Sequence, residues 1–136
     1  MLAVPPEFHD RVVLGIPSYG YNWPTSVVGD CPADAPGRTS INPGTLDDLI
    51  ARRSIEPVAD ALTGEWSATY ELEIDDGVLS CLQTRQLHWI DADGVARRVE
   101  MARRAGIRGV ALWALGYEDD EVWNALVSSA TKDLAP

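Results

Sequence analysis

The chain has 136 residues, 46% of them hydrophobic and 24% charged, which suits one globular domain and excludes a disordered one. Its formal net charge of −10 repels phosphate, which argues against nucleic acid and an anionic membrane surface as partners. No apolar run approaches the ~20 residues that span a bilayer, and MLAVPPEFHDR lacks the basic and apolar regions of a signal peptide.

In chain order, VVLGI at 12–16 is a short apolar run stopped by Pro17, the pattern of a parallel strand covered on both faces. It opens into the aromatic segment SYGYNWP. The prolines and glycines of 24–44 then predict a loop. Thr45 is the expected N-cap of a short helix ending near Arg53, with Leu46, Leu49 and Ile50 at helical spacing. EWSATYELEI alternates, Asp76-Gly77 signals a turn, and RQLHWI is strand-like, so 55–91 predicts a small antiparallel sheet.

Asp91 or Asp93 caps the next predicted helix, which runs to about Ala105. Val95, Val99 and Ala102 form its apolar face, Arg97, Arg98, Arg103 and Arg104 its wet side, and Gly106 its stop. GIRGVALWALG follows as a second buried strand. A last helix, capped by Asp119 or Asp120, places Val122, Trp123, Leu126, Val127 and Ala130 on one face.

Two parallel strands cannot cover themselves, so further strands are expected from another copy or from a larger barrel or sheet. PPEFHDR reads as the tail of a helix–strand connection. Gly15, Gly20, Gly109 and Gly116 are expected at tight packing or turns. His9 and His88 are isolated, and a surface or structural role is expected for both. Cys31 and Cys81 lack the spacing of a metal site, which leaves a disulfide or two thiols open. No cofactor motif, phosphate-cradling glycine loop or Ser-His-Asp pattern is present. EDDE at 118–121 suits the dipole of the helix it opens.

LGIPSYGYNW resembles the seventh-strand motif of glycoside hydrolase family 18, the chitinase-like enzymes, and is closest to the spore-germination or peptidoglycan-associated branch. GVALWALGYEDDEVW resembles that family's eighth strand and following helix. Tyr70 and HWID at 88–91 fit the α+β insertion the family often carries between them. The resemblance spans about Val12 to Trp123. It implies an α/β fold in which this chain supplies the last two strands and helices of a (β/α)8 TIM barrel. Residues 1–23 and 92–136 would be partial-barrel segments, and 24–91 the inserted subdomain.

The family's catalytic signature, DxxDxDxE on the fourth strand, is absent here; EIDD at 73–76 has the wrong spacing. The resemblance implies a retaining, substrate-assisted hydrolase of β-linked N-acetylglucosamine polymers, chitin or peptidoglycan. This chain would then hold no catalytic residue, no cofactor and no metal, and would be inactive alone. Trp113 matches the family's tryptophan at the scissile sugar, and Tyr19 would face the same sugar. Tyr21 stands where many chitinases have an arginine. Trp23, Trp66, Trp89 and Trp123 are expected to pack. The family's common export implies a Cys31–Cys81 disulfide, and an extracellular or cell-wall location if the intact protein carries a signal. The alternatives are a lectin-like glycan binder and a half-barrel that self-associates through its uncovered strand edge.

Overall fold

The computed structural model describes residues 4–131, the last three as backbone alone. After a 3₁₀ turn at Pro6–Arg11 come β1 (Val13–Pro17), β2 (Gly20–Gly29), β3 (Thr39–Ile41), α1 (Pro43–Arg53), β4 (Val58–Asp60) and β5 (Glu65–Asp75). β6 (Ser80–Ile90), α2 (Ala92–Arg104), β7 (Gly109–Trp113) and α3 (Asp120–Thr131) complete the chain. β1 and β7 pair in parallel, Gly15 opposite Ala111 and Pro17 opposite Trp113. The other sheet is antiparallel, in the order β3-β2-β6-β5-β4. The chain is a mixed α/β protein in which the antiparallel unit interrupts the path from β1 to β7.

Each sheet packs helices on one face. Ile16, Val95, Val99 and Val122 form one core, joined by Leu14, Val110, Leu112 and Leu126, so α2 and α3 cover one side of the parallel pair. The other side carries Val13, Gly15 and Ala111 and is open. That corrects the expectation of strands buried on both faces: the continuous apolar run is real, but this chain covers half of it. β7 also stops at Trp113, so Leu115 lies beyond the strand and is exposed. Ile41, Leu46, Ile55, Ala68 and Leu87 form the second core, where α1 covers one face of the antiparallel sheet.

Local chemistry explains the boundaries. α1 is capped by Asn42, whose side chain accepts from Thr45 N at 2.9 Å, with Pro43 in the first turn, where no N–H is needed. Thr45, the expected cap, instead donates its hydroxyl to Asn42 Oδ1. The expected loop at 24–44 holds strand up to Gly29 and again at Thr39–Ile41. Pro24 misled: it sits where the β2–β6 register shifts, and a bulge tolerates a residue without a donor.

Asp91 caps α2 through Gly94 N at 2.8 Å, and its other oxygen accepts from Trp66 Nε1 at 2.7 Å. One carboxylate thus ties helix to sheet. A Cβ on Gly94 would lie 2.5 Å from Gly64 O, so the first turn of α2 rests backbone on backbone against the β4–β5 turn. Arg98, expected on the wet side, is largely covered and pairs with Glu65 at 2.8 Å. α3 buries Val122 and half-buries Leu126, while Trp123 and Val127 are exposed. The expected apolar face of that helix is therefore narrower, and Ala130 lies outside the described side chains. Gly15 and Gly109 meet nothing a Cβ would touch, contrary to the packing expected of them. Cys31 and Cys81 form a disulfide. Among the described residues no helix is long and apolar enough to cross a membrane.

Candidate functional site

The open face of the parallel pair and the neighbouring ends of β2, β5 and β6 in the antiparallel sheet border a cleft of about 420 Å³. Gly15, Pro17 and Trp113 form one side; Tyr21, His88 and Trp89 form another, with Tyr19 in the connection between β1 and β2. Alternation along β7 sends Val110 and Leu112 to the helices and Trp113 the other way. Its side chain is 70% exposed. Ser18 fixes its backbone: Ser18 N donates to Trp113 O at 2.7 Å, and Ser18 Oγ donates to Ala114 O at 2.6 Å. The Trp113–Ala114 peptide is cis.

Tyr19 stands edge-on to Tyr21 at 5.4 Å and to Tyr117 at 6.2 Å. Its hydrogen bond with Tyr21, then burial, push the Tyr19 hydroxyl above its ordinary value of 10.0, while the Arg38 charge pulls it down. The Tyr19 hydroxyl is therefore neutral at physiological pH and engaged with Tyr21. A second cavity of about 350 Å³ shares Tyr19, Tyr21 and Trp113 and adds Arg38, Ser40 and Tyr117. The Arg38 guanidinium lies 4.8 Å from the Tyr21 ring centroid.

Of the residues lining the cleft, Glu65 alone is a carboxylate, and Arg98 holds it. Four carboxylates of the acidic motifs hold backbone N–H groups. Asp75 and Asp76 accept backbone N–H groups of the β5–β6 turn. Glu118 accepts from Gly116 N and Tyr117 N, and Asp119 from Val122 N at the start of α3. No group of three or more His, Cys, Asp or Glu among the described residues could hold a metal.

A relative from Bacillus subtilis (strain 168), the uncharacterized glycosylase YvbX, is 24% identical over 118 residues, 86% of this chain and 30% of its own length. A chitinase of Chromobacterium violaceum superposes with a TM-score of 0.69 at 27% identity, over 91% of this chain and 34% of its own. The chain is chitinase-like. The spore cortex-lytic enzyme SleL of Bacillus megaterium shares the fold at a TM-score of 0.64 and 18% identity, over 89% of this chain and 26% of its own. No protein-family model matches. The relationship to glycoside hydrolase family 18 fits these matches, and the chain spans a quarter to a third of the length of the relatives named.

The structure brings Trp113, Tyr19 and Tyr21 to one cleft. Trp23 stacks on His88 at 5.3 Å, and Trp66 on Trp89 at 6.3 Å. Sequence reasoning missed His88, Tyr117 and Arg38 in the lining of these cavities. For His88 the signal was the alternation of β6, which puts it opposite Tyr21. Tyr117 belongs to the GYEDD segment just after the tryptophan strand. Arg38 sits in a stretch read as loop, and nothing local marks it.

Proposed function

We propose that this chain is the C-terminal part of a chitinase-like TIM-barrel glycosidase, with β1 and β7 as its last two barrel strands and the antiparallel unit as its insertion. The substrate is a β-linked N-acetylglucosamine polymer. The observation that carries the reading is Trp113: an indole exposed on the helix-free face of a parallel strand, at the strand's C-terminal end, where barrel sites are built. The apolar face of a sugar ring stacks on such an indole, while Tyr19 and Tyr21 line the cleft beside it. The chain holds the sugar and excludes water. The acid that protonates the glycosidic oxygen comes from a strand outside this chain, because the cleft's own carboxylate is held by Arg98. The Cys31–Cys81 disulfide supports an oxidising, extracellular setting.

Tryptophan fluorescence and calorimetry with an N-acetylglucosamine oligomer test this. Trp113→Ala is expected to weaken binding at least tenfold and to cost under about 1 kcal/mol of stability, since the ring is exposed. A core tryptophan would cost about 3–5 kcal/mol. That cost with binding intact would move the site elsewhere. The engaged Glu65 also favours a second reading, a glycan-binding relative without catalysis.

A further inference from the structure

The segment between β2 and β3 is clamped. The Cys31–Cys81 disulfide fixes its start to β6. Arg85, on β6 and only 1% exposed, fixes its end: Nη1 donates to Pro36 O at 2.7 Å and Nη2 to Gly37 O at 2.8 Å. Nε donates to Asn22 Oδ1 at 2.8 Å, and Nη1 also to Gln83 Oε1. Arg85 uses its donors on neutral acceptors, so its work is positioning. The next residue along the clamped segment is Arg38, which is exposed, lines the cavity it shares with Trp113, and lies over Tyr21. Among the described residues no carboxylate pairs with it. In a chain of net charge −10 this is a cation left facing a ligand site.

We propose that Arg38 is the specificity-determining residue of the cleft: carried from the insertion to the rim beside Trp113, it takes a carboxylate borne on the glycan. The inference rests on the glycan reading of the cleft and narrows the substrate class from neutral amino-sugar polymers to those carrying an acidic substituent. A guanidinium supplies paired donors in a plane that matches a carboxylate. Stacking on Tyr21 and a clamped backbone reduce the freedom lost on binding.

The test is calorimetry of the chain with two probes, a β-linked disaccharide of N-acetylglucosamine and N-acetylmuramic acid, and neutral N,N′-diacetylchitobiose. Wild-type protein is expected to prefer the acidic probe about tenfold at low salt, and 0.5 M salt should reduce the preference. Arg38→Gln should bring the ratio of the two affinities close to one. Equal affinities in the wild type, or a preference that survives Arg38→Gln, overturn the proposal. Trp113→Ala separates the two levels. Binding of both probes unchanged in that variant removes the glycan reading of the cleft, whereas loss of both with no wild-type preference removes Arg38 alone. Absence of binding to either probe by wild-type protein overturns both.

Discussion

At the scale of the residue, Arg85 places a full charge in the interior among neutral acceptors. Charge-assisted hydrogen bonds to Asn22 Oδ1 and to the Pro36 and Gly37 carbonyls compensate its desolvation. Arg85→Leu would leave those acceptors buried without donors. Urea unfolding is expected to show a loss on the order of 3 kcal/mol. A loss below about 0.5 kcal/mol, the range of ordinary surface changes, would mean that the Cys31–Cys81 disulfide alone holds the segment. Tyr70 reinforces the same network, since its hydroxyl accepts from Asn22 Nδ2 at 2.9 Å.

At the scale of the element, turns and helix ends depend on ionised carboxylates. Asp76 accepts from Val78 N and Leu79 N, and Asp60 from Leu62 N and Thr63 N, and these bonds hold both carboxyls below their ordinary values. Glu100 is lowered from 4.5 to about 2 by its hydrogen bonds with Arg103, then Arg104, at the end of α2. A carboxyl whose folded pKa is depressed contributes stability above its unfolded pKa and loses it as pH falls through the folded one. The melting temperature should therefore hold steady above pH 4.5 and fall between pH 4.5 and about 2. A melting temperature unchanged down to pH 2 would show that these bonds carry no net stability.

The legibility of these elements differs for physical reasons. The span and apolar face of α2 were readable because its cap region, apolar spacing and Gly106 stop agree, whereas the covering of Arg98 by Glu65 depends on a residue far away in sequence. The β5–β6 hairpin was readable from alternation and Asp76-Gly77. β2 was not, because a bulged proline resembles a breaker when the partner strand is out of view. Trp113, Tyr19 and Tyr21 could be placed through the motifs around them. Arg38 could not, because its placement comes from Tyr21 on β2 beneath it and from the bonds of Arg85 to Pro36 and Gly37, which local spacing does not encode. Trp123 was misread because an apolar residue on a helix face need not meet a partner within this chain.

At the scale of the whole molecule, the parallel pair has helices on one side and an open face on the other, with Val13 48% exposed there. A sheet in that state wants strands or a second copy against it. The one carboxylate that lines the cleft, Glu65, is engaged in an ion pair with Arg98. The chain by itself is expected to leave a chromogenic N-acetylglucosamine oligomer uncleaved. Turnover that co-purifies with it and is lost in Glu65→Gln would transfer the acid's role to Glu65.

The mounting of α2 has one more consequence. β6 ends at Ile90 and α2 begins at Ala92, with Asp91 alone between them, its carboxylate bonded to Gly94 N of α2 and to Trp66 Nε1 of β5. Gly94 rests on Gly64 without clearance, and Arg98 latches Glu65 one residue beyond. The junction is thereby held at three points: a doubly bonded carboxylate, a backbone-on-backbone contact and an ion pair. Trp89 and His88, which lie just before it on β6 and line the cleft, are seated by the same mounting that seats α2.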